Sequence, residues 1–209
     1  MATTWSSFYP YVQPYVPGCP EVVIESHLQE AANKFCEKSE VWRFVIDPDF
    51  TSKNTSDYAI DIPTNTVLES ILYLHINGLV LKPSSERFYL DQYQEDGTDV
   101  TGRPITYTMY DNASIKLHPT PDGKYTFNGL AILKPSLSAT GVEDFIFESY
   151  GRAIASGAIS QLAAIPNKEW TNPDLAMMHE VRFNKEIAAA KGRDTRRVNL
   201  RVSAVKFAD

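Results

Sequence analysis

The sequence predicts an α+β protein in which a small α-helical bundle is interrupted by an antiparallel β module, either sandwich-like or barrel-like. Three observations support this fold class. An amphipathic helical pattern precedes Arg43, strand and turn signals fill the chain from Val41 to Pro135, and helical spacing returns from Asp144. Because the apolar faces at both ends need a partner, we expect the N-terminal helix and two C-terminal helices to pack together.

The pattern divides the chain into four predicted segments. Residues 1–43 hold an N-terminal arm and the first helix, residues 44–135 the inserted β module, residues 136–192 the second and third helices, and residues 193–209 an extended C-terminal arm. Of the 209 residues, 43% are hydrophobic and 22% are charged. This composition is that of an ordinary globular protein with enough apolar side chains for a real core.

Signals for a membrane span or for secretion are missing from the sequence. No apolar run approaches the roughly 20 residues that cross a bilayer, and the start MATTWSSFYPYV lacks the basic and apolar regions of a signal peptide. We therefore expect an intracellular product. Cys19 precedes the first helix and Cys36 lies near its end, and a rise of about 1.5 Å per residue holds them roughly 25 Å apart, well beyond the ~7 Å limit for a disulfide. Both are expected to be free thiols, with Cys36 in the core.

The first helix is the most regular pattern in the chain. Pro20 suits its first turn, and Glu21 complements the positive end of the helix dipole. Its apolar residues recur at helical spacing and form one stripe, namely Ile24, Leu28, Ala31, Ala32, Phe35 and Cys36. We expect this stripe to face the core of the bundle.

The leader, residues 9–20, is rich in proline and tyrosine. Its prolines and tyrosines are Pro10, Pro14, Pro17, Pro20, Tyr9, Tyr11 and Tyr15. Since proline fixes φ and lacks an N–H group, we predict an extended segment that lies on a surface. Two interpretations remain open: an arm that contacts another subunit, or a strap over the chain's own core.

A hairpin is the clearest feature of the β module. Residues 70–76, Asn77-Gly78 and residues 79–82 fit two strands joined by a type I′ turn, because Asn-Gly accepts the positive φ angles of that turn. Further strands are predicted at residues 87–93, 105–110, 114–118 and 125–133, with turns at 111–112 and 121–123.

Two helices are predicted after the β module. Residues 144–165 show helical spacing, and Gly151 and Gly157 allow another backbone to approach closely. Pro166 ends this helix, and Asn172 with Pro173 is suited to cap and begin the next one. One face of that last helix is traced, until Gly192, by Ala176, His179, Phe183, Ile187 and Ala190.

The C-terminal part of the chain is basic, whereas the rest is acidic. Residues 182–209 contain eight Lys or Arg and three Asp or Glu, so the remainder carries −11 although the whole chain carries −6. From residue 193 onward Val198, Leu200, Val202 and Val205 alternate weakly, which predicts a strand able to add to another sheet edge. Two interpretations stay open: a solvated helix end followed by a charged tail, or an arm that docks on an acidic partner or a neighbouring copy.

Catalytic and metal-binding motifs do not occur in the sequence. The four histidines His27, His75, His118 and His179 lack a second ligand at zinc-site spacing, and no later histidine completes the zincin-like start at His179. A Gly-rich phosphate loop and a G-x-S-x-G elbow are missing as well. We therefore predict that the protein is not an enzyme and takes no cofactor or metal.

Two patterns leave weaker alternatives. Residues 91–99 crowd carboxylates around Gly97 but do not follow an EF-hand loop, so an exposed acidic turn is preferred to a calcium site. A pair of glycosidase carboxylates is defined only in space, which keeps a glycan hydrolase as a third-ranked function.

Four aromatic residues of the β module, Tyr107, Tyr110, Tyr125 and Phe127, would stack bases or sugars if they were exposed together. Core and cross-strand packing is the preferred interpretation of these side chains. Binding of nucleic acid by the module is disfavoured, since a groove that follows phosphates needs Lys and Arg.

Three blocks of residues, taken in order, carry a resemblance to a known family. The first is Pro14, Pro17, Gly18, Cys19, Pro20, Ala31, Ala32, Phe35 and Trp42; the second is Ile115, Leu117, His118, Pro119, Pro121, Tyr125, Lys134 and Pro135; the third is Pro166, Trp170, Asn172, Pro173, Ala176, His179, Phe183, Ile187 and Ala190. Together they resemble the head-to-tail adaptor proteins of tailed bacteriophages, including the tail tubular A type of short-tailed phages.

The resemblance implies a virion protein of the neck or tail, made in the host cytoplasm, with no catalytic residues to transfer. The partners it implies are further copies in a cyclic homo-oligomer, commonly of twelve, the portal protein, and the next tail component, which is a nozzle or a tail tube. Genomic DNA would pass through the channel without sequence-specific binding.

In this sequence the candidate contacts with other subunits or with the portal lie in the leader and the C-terminal arm. They are Tyr9, Tyr11, Tyr15, Arg193, Arg196, Arg197, Val198, Leu200, Arg201, Val202, Lys206 and Phe207. The alternative function is a non-catalytic virion protein that binds carbohydrate or a surface through the β module, with the helices as a base for oligomerisation.

Overall fold

The computed structural model describes the backbone of residues 2–85, 94–95, 98–111 and 113–204, and all their side chains except those of residues 48, 94–95, 98–99 and 194–204. The fold is α+β, as predicted. Contacts between Cα atoms divide the chain into two compact units, one formed by Met1–Trp42 with Lys134–Asp209 and the other by Arg43–Leu133.

The first unit is mainly helical in its described part. Its α-helices are α1 Tyr9–Val12, α2 Glu21–Ser39, α3 Asp144–Ala164 and α4 Pro173–Ala204. The three long helices α2, α3 and α4 all contact one another and form the predicted bundle. A short antiparallel pair, β1 Ala2–Thr4 with β14 Gly141–Glu143, joins the start of the chain to the residues before α3.

The apolar stripe of α2 is completely buried, as predicted. All six residues from Ile24 to Cys36 that were assigned to it have no exposed surface. Burying a side chain such as Leu28 or Phe35 contributes about 1.5–3 kcal/mol, so this face holds the helix in the bundle. The helix ends at Glu40, which adopts a left-handed φ of 57° and donates its N–H to the Cys36 carbonyl. Both cysteines are free, and Cys36 is buried.

Local signals also place the two later helices. Leu175 donates its backbone N–H to Asn172 Oδ1 at 3.0 Å, which confirms the predicted cap of α4. On α3, a Cβ added at Gly157 would lie 2.9 Å from the ring of Phe183 and 3.0 Å from Ala31 Cβ. The close approach predicted at this glycine is therefore present.

The prediction of an extended leader was wrong. The chain forms a 3-10 turn at Trp5–Phe8, then α1, then a 3-10 turn at Gln13–Tyr15. Pro10 and Pro14 lie in the first two positions of these turns, where a missing N–H removes no hydrogen bond. Because Phe8, Val12 and Val16 are buried, these turns cover the core of their own unit.

The prediction of a strand from residue 193 was also wrong for the described residues. The last helix continues through Gly192 to Ala204. A formed helix adds one hydrogen bond per residue, and one glycine costs only about 1 kcal/mol, so Gly192 alone does not end it. A strand, in contrast, needs a neighbouring strand. Residues 205–209, and with them Lys206 and Phe207, lie outside the described residues.

Two four-stranded sheets form the second unit, with strand orders β3-β11-β10-β6 and β2-β13-β4-β5. Their bounds are β2 Arg43–Phe50, β3 Asp57–Ala59, β4 Thr66–Ile76, β5 Leu79–Val80, β6 Lys82–Pro83, β10 Thr106–Met109, β11 Ser114–His118 and β13 Thr126–Pro135. Two small pairs join β7 Gln94–Glu95 to β8 Thr98–Asp99 and β9 Thr101–Gly102 to β12 Thr120–Pro121.

The predicted hairpin is confirmed by the positive φ angles of Asn77 (46°) and Gly78 (78°) between β4 and β5. Lys82 belongs to β6, which pairs with β10 in parallel, as β9 does with β12; these parallel pairs were not predicted. The predicted strand at 87–93 lies outside the described residues.

The rings of Tyr58 and Phe127 meet at 5.5 Å and pack the two sheets against each other.

Candidate functional site

The described part of the chain brings together no group of three or more His, Cys, Asp or Glu side chains that would hold a metal ion. His118 is fully buried, and its Nε2 lies 3.1 Å from Thr108 Oγ1 on the neighbouring strand. His27 Nδ1 lies 3.0 Å from Gln161 Oε1 in the helical unit. These two histidines therefore hold neighbouring elements together.

Among the described helices, none is both long and apolar enough to span a bilayer. In the acidic segment 91–99, residues 94–95 and 98–99 form the pair β7 and β8, and the remaining positions lie outside the described residues.

The aromatic residues of the β module do not share an exposed platform. Tyr107 and Phe127 are buried, with 5% and 2% of their surface exposed, whereas Tyr110 is 52% exposed. A stacking platform needs several accessible ring faces side by side. Core packing, the preferred interpretation, is what the structure shows for Tyr107 and Phe127.

Each leader tyrosine contacts a different helix of its own unit. Tyr9 donates its hydroxyl to Glu25 Oε1 at 2.7 Å, and burial followed by this bond to a carboxylate raises the pKa of Tyr9 to about 12. The ring of Tyr11 lies 6.2 Å from that of Phe147. Tyr15 sets the edge of its ring against His179 at 5.0 Å and remains 43% exposed.

A cleft of about 290 Å³ opens where the leader crosses α3 and α4. We call it the leader cleft. One wall is formed by the leader and the other by the two helices, and its main lining residues are Pro10, Pro14, Tyr15, Arg152, His179 and Arg182. The rigid proline rings and the aromatic ring make the leader wall mostly apolar, whereas the helix wall carries the charges.

His179 is the unusual residue of the cleft. Only 2% of its surface is exposed, and neither ring nitrogen has a hydrogen-bond partner among the described residues. Burial, and to a lesser extent the charge of Arg182, lower the pKa of His179 below its usual value of about 6.5. The ring is therefore neutral at pH 7 and presents one N–H donor and one acceptor nitrogen.

Two guanidinium groups flank this histidine. Arg152 on α3 and Arg182 on α4 are both exposed, and Arg152 Cζ lies 5.8 Å from the ring centre of Tyr11. No ion pair of either arginine is found among the described side chains. Of the described residues that line the cleft, the two charged ones are thus both cations, and the cleft is suited to an anionic group.

The other candidate contact residues lie along α4. Arg193 is exposed and places Nη2 at 3.7 Å from Glu186 Oε2. Six of the remaining candidates lie on the helical backbone of 194–204: Arg196, Arg197, Val198, Leu200, Arg201 and Val202. Nearer the start of α4, three apolar side chains that the sequence did not single out are exposed: Met177 by 64%, Met178 by 57% and Val181 by 64%.

The leader cleft was not predicted from the sequence. Its only local signal is the spacing of His179 and Arg182, which places them one turn apart on one side of the last helix. Arg152 and the leader join them only through tertiary packing.

The profile of the SU10 adaptor protein family matches residues 4–204 of this chain. None of the curated proteins compared with the chain matches it. The family match includes the leader, the three long helices and the β module, and it agrees with the resemblance carried by the three blocks of residues. The chain therefore belongs to the SU10 adaptor protein family and is a head-to-tail adaptor protein of a phage virion.

Proposed function

We propose that this adaptor forms a ring, commonly of twelve copies, which sits under the portal, joins the capsid to the next tail component and provides a conduit for DNA. The observation that carries the proposal is the family match over residues 4–204. The mechanism is assembly: helix faces and terminal segments bury surface against neighbouring proteins, and the closed ring leaves a channel.

The exposed apolar residues of α4 support a role in assembly. Met177, Met178 and Val181 follow one another within about one helical turn, and each exposes more than half of its surface. Contiguous exposed apolar surface on a folded protein commonly marks an interaction site. A cyclic ring needs two complementary surfaces on each subunit, and this face of α4 is our candidate for one of them.

The candidate contact residues divide by their accessibility. Tyr9 and Tyr11 contact their own helices, whereas Tyr15 remains 43% exposed and is available to a neighbour. Beyond Arg193 the chain is basic, and we propose that it contacts acidic surface of another subunit or of the portal. Acidic residues facing the channel would repel DNA and reduce its sticking during ejection.

The test is to isolate particles from the native source with this chain tagged, and to determine their mass and rotational symmetry by mass photometry and electron microscopy. Native material matters, since an adaptor without its portal can stay monomeric. We expect a ring stacked on a second ring. A small free oligomer without a ring partner contradicts the proposal, and glycan binding by that oligomer would favour the carbohydrate-binding alternative.

A further inference from the structure

We propose that the leader cleft binds a carboxylate that is carried by an acidic segment of another protein. The inference deepens the proposed function because it names the chemistry of a partner. Only the identification of that partner as a virion component rests on the proposed function. The binding reaction itself needs no ring and can be tested on the isolated chain.

The first argument is the incomplete hydrogen bonding of His179. Leaving a buried polar group without a hydrogen-bond partner is unfavourable, and a neutral imidazole has one N–H that can donate a hydrogen bond to a carboxylate oxygen. The residue contributes to the lining of the cleft, but both of its ring nitrogens are buried, so a carboxylate in the cleft reaches the N–H group only if the ring or the neighbouring Tyr15 shifts. A bound carboxylate would supply the missing acceptor.

The second argument is the charge of the walls. Guanidinium groups bind carboxylates through paired N–H donors, and Arg152 and Arg182 approach the cleft from different helices. Among the described residues that line the cleft there is no Asp or Glu, so an incoming anion meets no repelling carboxylate from them. The cation–π contact with Tyr11 also restrains the side chain of Arg152, which reduces the entropy lost on binding.

The third argument favours a protein carboxylate over a nucleic-acid phosphate. At about 290 Å³ the cleft admits a side chain, whereas a duplex would have to be held by an extended basic surface. The wall of Pro10, Pro14 and Tyr15 suits the aliphatic part of Glu or Asp and the peptide beside it. Acidic segments are also available in an assembly of this chain, since the residues outside 182–209 carry a net charge of −11.

The test is fluorescence anisotropy of a labelled hexaglutamate peptide titrated with the full chain. We expect saturable binding that weakens at least tenfold in the double variant R152Q/R182Q. The matched control is K53Q/K168Q, which removes the same charge at two exposed lysines outside the cleft and should leave the affinity unchanged. Hexaglutamine should not bind, and circular dichroism melts verify that each variant is folded.

Three results would overturn the inference. The first is no saturable binding of hexaglutamate, and the second is equal weakening of that binding in both double variants. The third is that a duplex oligonucleotide of equal charge binds more tightly than hexaglutamate and loses this binding in R152Q/R182Q. As a second readout, the His179 ring signals in a 1H–13C spectrum should shift on addition of hexaglutamate but not of hexaglutamine. A ring seen in native particles together with failure of the peptide test would leave the adaptor function intact and remove the cleft as a contact.

Discussion

Gly157 on α3 and Phe183 on α4 lie in direct contact, because the glycine has no Cβ: one added there would stand 2.9 Å from Phe183 Cε2. The same Cβ would stand 3.0 Å from Ala31 on α2. Gly157 is therefore a point at which all three long helices approach one another closely. The glycine lowers the intrinsic stability of α3 but permits this packing.

Gly157→Ala should destabilise the protein. Alanine gains about 1 kcal/mol in helix propensity, but overpacking against a buried ring costs about 1–3 kcal/mol, so we expect a net loss of up to about 2 kcal/mol. Urea denaturation followed by circular dichroism measures this difference in the free energy of unfolding.

Gly192→Ala is the matched control, since a Cβ at Gly192, on the exposed side of α4, meets no atom of the described residues within 4 Å. It should leave stability unchanged or raise it by up to about 1 kcal/mol. If Gly157→Ala stabilised the protein as Gly192→Ala does, the tight contact with Phe183 would be wrong.

The two cysteines should differ in reactivity. Cys36 is completely buried, and burial raises the pKa of its thiol to about 12, so the reactive thiolate is scarce at neutral pH. Cys19 is half-buried, and burial raises its pKa as well, yet a reagent can reach it. Ellman's reagent should titrate one thiol in the native protein and two in denaturant, and Cys19→Ser should abolish the native reaction. Two rapid thiols in the native state would contradict the buried position of Cys36.

Acid should weaken the fold through His179. Because its pKa is lowered in the folded state, the unfolded chain binds more protons below about pH 6.5. The free energy of unfolding is therefore not reduced by His179 above about pH 6.5. It decreases as the pH falls from there toward the pKa that His179 has in the folded protein. The charged or titratable groups that line the cleft with His179 are Arg182 on its own helix, Arg152 on α3, and Tyr11 and Tyr15 in the leader.

The variant His179→Leu tests this linkage. It removes the titration and a buried polar group without partners, so the protein should become more stable by about 1 kcal/mol at pH 7 and by more at pH 5. Melting temperatures of both proteins from pH 5 to pH 8 give the comparison. Parallel curves for the two proteins would show that His179 is not the titrating group.

Shortening the chain should separate folding from assembly. A chain that ends at Arg193 keeps Phe183 and Ala190, the buried residues that fix α4 to the bundle, and should melt at the same temperature. It should no longer join portal-bearing capsids, as judged by electron microscopy of particles made with it. The full-length variant R196Q/R197Q/R201Q tests whether charge or length matters. Normal joining by the shortened chain would remove residues 194–209 from the contact.

Local signals in the sequence predicted much of the fold correctly. The stripe of α2, the Asn77-Gly78 turn and the Asn172 cap each depend on residues within one or two turns of the chain. The prediction of extended backbone is wrong in the leader because Pro10 lies in the first turn of α1, where its missing N–H removes no hydrogen bond. It failed again beyond Gly192, where weak alternation of valines did not outweigh continuation of a formed helix.

The sequence by itself determined the fold class, the long helices as far as Gly192 and the adaptor resemblance, because periodicity and turn chemistry are read over short stretches of chain. Only the tertiary structure decided which surfaces are available to partners. The leader cleft joins Tyr15, Arg152 and His179, whose separations in sequence exceed 20 residues. Whether the ring nitrogens of a histidine on a helix face find hydrogen-bond partners depends on which residues pack over the ring, and only the folded bundle determines those residues.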